Sequence, residues 1–330
     1  MTKKLFQFFR RFVYDSLKNI RSRLSGNAFL LNPRWPASKL NNLPKSIDEY
    51  QLVKSLKQDL SSTYKAGLYK NKSGDLVVGK MWKGDFKNSD YFRLHKEIVT
   101  YQVLSQAIKR IGHLTPHSLK SISIPRYIGF TESNNSLCLF IEYVNGVSLD
   151  STISSDKQHV YFKKCIEYIK FIGNHLTSSE KSQLTTKVIQ KDLPLYPFVL
   201  LLVIIRRPRL AVDLIKGFYS VILNSFQIMR DANLTLVHGD LHPHNLIRDG
   251  ERIVILDLEE MIITHSAQEL VFSILCLPTA QPLRRKLIKD SQTLPHFSIL
   301  AVNSSIHYLA GNITHQKVNL CVQTLRQNLK

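Results

Sequence analysis

His238-Gly239-Asp240-Leu241-His242-Pro243-His244-Asn245, followed by Ile255-Leu256-Asp257-Leu258-Glu259, is the stretch that decides how this chain folds. Each half comes directly after a short apolar run, 234–237 and 253–256, so polar groups are set at the ends of two short strands. Phosphoryl transfer needs a carboxylate beside the attacking hydroxyl and oxygen ligands for magnesium on the nucleotide. The spacing puts Asp240 and Asn245 on one tight loop and places a second acid, Asp257, after an apolar strand. Two other readings compete. His238, His242 and His244 are metal-ligating types, but Pro243 lies between two of them and no outlying Cys or His motif completes a zinc pattern. His, Asp and Asn also form ordinary turns; eight ordered positions with a correctly spaced Asp257 argue against coincidence.

The segment is similar to the catalytic loop of the aminoglycoside phosphotransferase and choline kinase superfamily. That pattern runs His-Gly-Asp-Leu-His-Pro-Gly-Asn, then an Ile-Asp-aromatic-acid strand end. The resemblance implies an α+β, two-lobed protein-kinase-like fold with a small strand-rich N-lobe and a mostly helical C-lobe. It also implies ATP and magnesium as cofactors, and transfer of the γ-phosphate to a hydroxyl. By position, Asp240 would orient and deprotonate the acceptor, Asn245 and Asp257 would hold magnesium, and Glu259 would assist at the metal. His244 departs from the family's glycine and Leu258 from its aromatic residue. Gly239 occupies the place where protein kinases carry arginine, and no Ala-Pro-Glu follows, so a protein kinase is the less favoured member of the class.

Features upstream fall in the matching order. Lys80, in Leu76-Val77-Val78-Gly79-Lys80-Met81-Trp82, stands where a kinase strand presents lysine to the α- and β-phosphates, with Lys83 as a competitor. Glu97 begins a helix that would pair with it. Leu139-Phe140-Ile141-Glu142-Tyr143-Val144 resembles the adenine-binding hinge, which implies main-chain contacts from Glu142 and Val144. No G-x-G-x-x-G occurs near the first strands, and the stretch 59–64, with Ser61, Ser62 and Thr63, is the candidate phosphate loop. Downstream, Glu269 sits where the family has an Asp-Leu anchor, which implies a structural role.

The chain around these motifs divides into 1–45, a basic amphipathic segment and linker; 46–144, a nucleotide-binding lobe with hinge; and 145–330, a helical lobe. Strands are expected at 68–70 and 76–82, joined by Ser73-Gly74-Asp75, and at 127–130 and 137–143. Between them a helix is expected, with Phe92, Ile98, Tyr101, Val103 and Leu104 as core positions. Beyond Gly146, 160–176 and 210–229 read as helices, with Pro194, Pro197 and Pro208 breaking the region between.

Forty-five basic residues against 25 acidic ones give a formal net charge of +20, a field that favours nucleic acid, anionic lipid or phosphorylated substrates without choosing among them. No RNP, zinc-finger or other nucleic-acid module is present, so nucleic acid is disfavoured. Cys138, Cys165, Cys276 and Cys321 lack CxxC spacing and are expected as reduced thiols in a core. The apolar run 198–205 is too short to span a bilayer; followed by Arg206, Arg207 and Arg209, it is expected as a buried helix with surface arginines, and alternatively suits work at the inner face of a membrane. Arg10 and Arg11 interrupt any signal-like stretch, so a cytoplasmic location is expected. Residues 1–24 pair a basic face with an aromatic-rich apolar one, which suits either the protein's own body or an anionic membrane at its inner face. The lipopolysaccharide-core kinases, a basic branch of the superfamily, share these traits. A small molecule, sugar or glycolipid is the expected acceptor. The alternative, motivated by the glycine-poor loop, is an inactive pseudokinase acting as a scaffold.

Overall fold

The computed structural model describes residues 42–56, 65–84, 89–133, 135–149, 153–186, 196–230, 234–277, 282–310 and 315–329. The basic segment 1–24 and the serine-rich candidate loop, Ser61 and Ser62 included, lie outside the described residues. Packing divides the chain into two compact units. One comprises Met1–His113, Ser123–Gly146 and Val254–Glu259; the other comprises Leu114–Ile122, Val147–Ile253 and Glu260–Lys330.

The strands are β1 (Ser46–Ile47), β2 (Tyr50–Ser55), β3 (Lys65–Lys70), β4 (Leu76–Lys83), β5 (Ile122–Ser123), β6 (Tyr127–Ser133) and β7 (Ser136–Glu142). They continue with β8 (Val147–Ser148), β9 (Leu234–Val237), β10 (Leu246–Asp249), β11 (Arg252–Ile255) and β12 (Ile262–His265). The helices are α1 (Ser89–Ile111), α2 (Ser155–His175), α3 (Ser178–Gln183), α4 (Tyr196–Arg206) and α5 (Ala211–Arg230). After them come α6 (Gln268–Cys276), α7 (Pro282–Ser291), α8 (Phe297–Ala310) and α9 (His315–Gln327). No described helix is long and apolar enough to cross a membrane.

In the first unit an antiparallel sheet runs β1-β2-β3-β4-β7-β6. The β3–β4 turn forms at the expected glycine: Gly74 has φ +94°, and Asn71 and Asp75 exchange side-chain hydrogen bonds of 2.8 and 3.0 Å across it. Period-two alternation in β4 separates its faces. Val77 and Met81 join Tyr69, Cys138 and Phe140 in one core cluster. Lys80 and Trp82 share the opposite face, and Trp82 meets Tyr91 of α1 edge-on at 5.1 Å. Helix α1 buries Leu94, Ile98, Tyr101 and Leu104 at helical spacing, with Asp90 in its first turn and Lys109 and Arg110 in its last, each favourable to the helix dipole. Phe92 departs from expectation. It is 60% exposed, because the neighbouring Tyr91 takes the inward position.

In the second unit, α2 lies against β9 through Gly173, where a Cβ would meet Leu236 Cβ at 2.7 Å. Strands β9 and β12 pair antiparallel, with Val237 opposite Ile262. A further sheet runs β5-β11-β10-β8. Strands β10 and β12, unlike β9 and β11, offer no apolar run to read, because Arg248 and Asp249 fill half of one and Thr264 and His265 half of the other. Helix α3 starts with a capping box, Thr177 accepting from the Glu180 N–H and Glu180 accepting from that of Thr177. Helix α6 is buried from Gln268 to Leu275. Helix α4 corrects the expectation of a wholly buried helix: Tyr196 and Val203 are buried, but Leu201 is 58% and Ile205 69% exposed.

Candidate active site

Two groups of functional side chains are built, one in each unit. In the first, the pleat of β4 points Lys80 toward α1, and its Nζ donates to Glu97 Oε1 at 2.7 Å. The same ammonium donates to Asp257 Oδ1 at 2.9 Å. Asp257 follows β11 with φ +60°, a left-handed conformation in which Asp is one of the few tolerated side chains. The ammonium that meets Glu97 and Asp257 is that of Lys80. Glu97 is fully buried, and burial pushes its carboxyl up to about 7 against the opposing pull of Lys80. Among the described residues its Oε2 has no hydrogen-bond partner.

Glu97, Asp257 and Glu259 bring one carboxylate oxygen each within 4.8 Å of one another. Three acidic side chains, two of them in contact with Lys80, leave an excess of negative charge built of hard oxygen donors. That donor set, together with the orphaned Oε2, fits a divalent cation of the magnesium type. Glu97 was expected only as the lysine's partner, and here it joins the acidic group as well. Its separation in sequence from Asp257 gave no signal of this.

In the second unit, β9 delivers the chain into the loop 238–245. Gly239 has φ +83°, and a Cβ on it would lie 2.4 Å from the carbonyl oxygen of Glu260. Both facts demand glycine, which explains why no arginine stands there. The N–H of His238 donates to buried Glu269 at the start of α6, and the N–H of Gly239 also interacts with that carboxylate. Burial raises Glu269 to about 7, with the two N–H groups opposing the rise. The structural role expected of Glu269 thus takes a definite form: it holds the backbone entering the loop.

Asp240 is held from several sides. Its N–H donates to His238 Nδ1 at 3.3 Å, and its carbonyl accepts from Asn245 Nδ2 at 3.0 Å. The Cys276 thiol donates to Oδ1 at 3.4 Å, and His242 Nε2 lies 3.5 Å from Oδ2. Burial raises the Asp240 carboxyl, but His242, the thiol and His238 outweigh it, so its pKa lies below the usual value. It is ionised at neutral pH. The sequence gave no hint of Cys276, one of four scattered cysteines, nor of Lys317, whose Nζ is 3.9 Å from Cys276 Sγ and 4.4 Å from the Tyr308 ring centroid. Cys276 is also a correction: Cys138, Cys165 and Cys321 are buried, but Cys276 is only partly so. Burial pushes its thiol up to about 12, so it remains protonated and able to donate.

The hinge is only partly as expected. The Glu142 N–H is engaged by the carbonyl of Arg126 at 2.9 Å, and its Oε2 accepts from the Arg126 N–H at 2.9 Å. Val144 is buried beyond the end of β7.

With this geometry in place, comparison with known proteins is direct. Residues 91–292 match the model of the phosphotransferase enzyme family. No curated protein matches in sequence. Among solved structures, a spectinomycin phosphotransferase in complex with ADP and spectinomycin is similar over 83% of this chain and 88% of its own, with TM-score 0.53 and 11% identity. A thermostable variant of an aminoglycoside phosphotransferase, in a ternary complex with AMP-PNP and hygromycin B, is similar over 84% and 92%, with TM-score 0.56 and 10% identity. At such identities the likeness is one of fold: α+β and protein-kinase-like.

Proposed function

The chain belongs to the phosphotransferase enzyme family, ATP-dependent kinases with a hydroxyl as acceptor, and on that premise we propose that it phosphorylates a small molecule, with sugars and glycolipids the classes to screen first. The observation that carries this reading is Lys80 at 2.7 Å from Glu97 and 2.9 Å from Asp257, three residues nominated by motif order and joined by charge. Lys80 offsets the α- and β-phosphate charge. Asp257 and Glu259 would hold magnesium, which would neutralise charge on the phosphates, and Asn245, on the loop of the second unit, keeps the metal-ligand role that the resemblance implies. The carbonyl of Glu142 and the main chain at Val144 receive adenine.

Asp240 orients the acceptor hydroxyl and takes its proton as the new bond to γ-phosphorus forms and the bond to the β–γ bridging oxygen breaks, releasing ADP. A carboxylate held below its usual pKa is a weak base. Its contribution is therefore mainly orientation, in keeping with a reaction whose catalysis is mostly positioning and electrostatics. Lys317 stands beside Cys276, which donates to Asp240, so its ammonium disfavours a cationic acceptor.

The test is ATP binding by calorimetry with and without magnesium, together with an acceptor screen read by ADP release. Asp257→Ala is expected to lose the magnesium-dependent part of binding. Asp240→Ala is expected to bind ATP normally and lose turnover by roughly 10²- to 10⁴-fold. Wild-type turnover in Asp240→Ala would remove the role given to it. Magnesium–ATP binding with no ADP release on any acceptor would favour the scaffold alternative, for which no described residue otherwise argues.

A further inference from the structure

Helix α5 is apolar on two opposite faces. Leu214, Gly217, Val221, Ser225 and Ile228 are buried and form one stripe. Gly217 seats that stripe closely: a Cβ there would lie 3.1 to 3.2 Å from Val302 and Ile306 of α8 and Leu325 of α9. The opposite face carries Val212, Ile215, Tyr219, Ile222 and Leu223, between 37% and 65% exposed. Helix α4, which packs on α5, adds Leu201 and Ile205 one turn apart, at 58% and 69%. A surface helix ordinarily turns polar residues outward; this one has its core contact already made and still presents a large apolar surface.

The charges around the surface are of one sign. Residues 196–230 contain Arg206, Arg207, Arg209, Lys216 and Arg230 against a single acid, Asp213. Asp213 is itself paired with Arg326 at 2.8 Å. Arg209 and Lys216 are exposed beside the apolar side chains. We propose that the outward face of α4 and α5 docks on an anionic phospholipid surface, with the apolar residues entering the interface and the basic ones meeting headgroups. The arrangement is that of an interfacial amphipathic helix: apolar area for insertion, cations long enough to reach phosphates, and an aromatic hydroxyl at Tyr219 suited to the water boundary. A second copy of the same face is the poorer occupant, because it would set Arg209 and Lys216 against their own like charges. The net charge of +20 works in the same direction by drawing the whole molecule to an anionic surface. This inference stands apart from the phosphotransferase reading, since it uses no residue of the active site.

The experiment is sedimentation of the full-length protein with vesicles of phosphatidylcholine alone, or of phosphatidylcholine mixed equally with phosphatidylglycerol. Binding to the mixed vesicles is expected to be at least about tenfold tighter than to the neutral ones. The triple variant Ile215→Glu, Tyr219→Glu, Leu223→Glu should lose about tenfold or more of that binding while keeping the wild-type melting temperature and magnesium–ATP affinity. In a separate Tyr219→Trp variant, the added emission above that of Trp35 and Trp82 should shift to the blue on mixed vesicles. The proposal is overturned by three results. One is no binding of wild type to mixed vesicles. Another is undiminished binding of the triple variant, which would place lipid contact elsewhere, such as in the basic segment 1–24. The third is a lipid-free dimer that the triple variant makes monomeric without any vesicle effect, which would identify a second copy as the occupant.

Discussion

Lys80, Glu97 and Asp257 are held by charge, whereas the loop from His238 to Asn245 is held by its own backbone. The first group joins a strand, a helix and a turn, with Lys80 and Asp257 177 residues apart, and each contact is between the Lys80 ammonium and a carboxyl group. The second lies within eight consecutive residues; its geometry comes from a glycine with positive φ, main-chain hydrogen bonds and one buried carboxylate, Glu269. Charge pairs across distant elements can be weakened one partner at a time. A backbone conformation fixed by sterics has no graded response, so the two clusters should fail differently when broken.

The sharpest break is Gly239→Ala. A Cβ 2.4 Å from the Glu260 carbonyl, added to the strain of φ +83° for a non-glycine residue, should cost roughly 3 kcal/mol or more and carry turnover away with it. Chemical denaturation checks the first part and ADP release the second; near-normal stability would mean that the loop has slack the geometry denies it. Next in size is Lys80→Ala. It leaves Glu97 buried with an unpaired carboxylate, a loss of about 3 kcal/mol. Because Glu97 already sits at about 7, this loss should shrink in acid as the carboxyl takes up a proton. A pairing with Glu97→Gln should recover part of it, and a double-mutant denaturation series measures the recovery.

A smaller and more diagnostic effect is expected from Glu269→Gln. The amide oxygen still accepts from the His238 N–H, so the loop is retained, but the titration disappears. In wild type the Glu269 carboxyl is raised from 4.5 to about 7 on folding, so the folded state binds its proton more tightly than the unfolded one. Its stabilising contribution is fully present below 4.5 and is lost as pH rises through about 7. The variant should flatten this part of the melting temperature's fall with pH, as thermal melts across the interval would record; an unchanged slope would assign the titration to Glu97. The smallest effect belongs to Phe92→Ala. Its side chain is 60% exposed, so the expected change is within about 0.5 kcal/mol, and a larger one would restore Phe92 to the core of α1.

The difference between the clusters is also why one was easier to read than the other. The loop announced itself because its residues are neighbours, and a glycine, an acid and an amide at fixed spacing keep their meaning without tertiary context. Lys80 and Glu97 could be nominated only through their order ahead of that loop. Cys276 and Lys317 gave nothing to read, since a thiol that donates to Asp240 looks in sequence like any core cysteine. The outward face of α5 was hidden for a related reason. A helix apolar on two opposite faces gives no sign of which stripe meets the core, and the close approach at Gly217 decides it.

By itself the sequence determined the β3–β4 turn at Gly74 and, through the resemblance carried by the motifs at 238–245 and 255–259, the reaction class and the α+β kinase-like fold, and it nominated Lys80, Asp240, Asn245 and Asp257. These depend on local chemistry: spacing, backbone freedom and the donor types that phosphoryl transfer requires. The tertiary structure alone decided that Tyr91 and not Phe92 turns inward and that Glu97 joins the acidic group. It alone decided that Glu269 fastens the loop and that Leu201, Ile205 and the outer stripe of α5 remain exposed. Each of those outcomes depends on which distant element fills the space beside a side chain, and spacing along the chain carries no record of that.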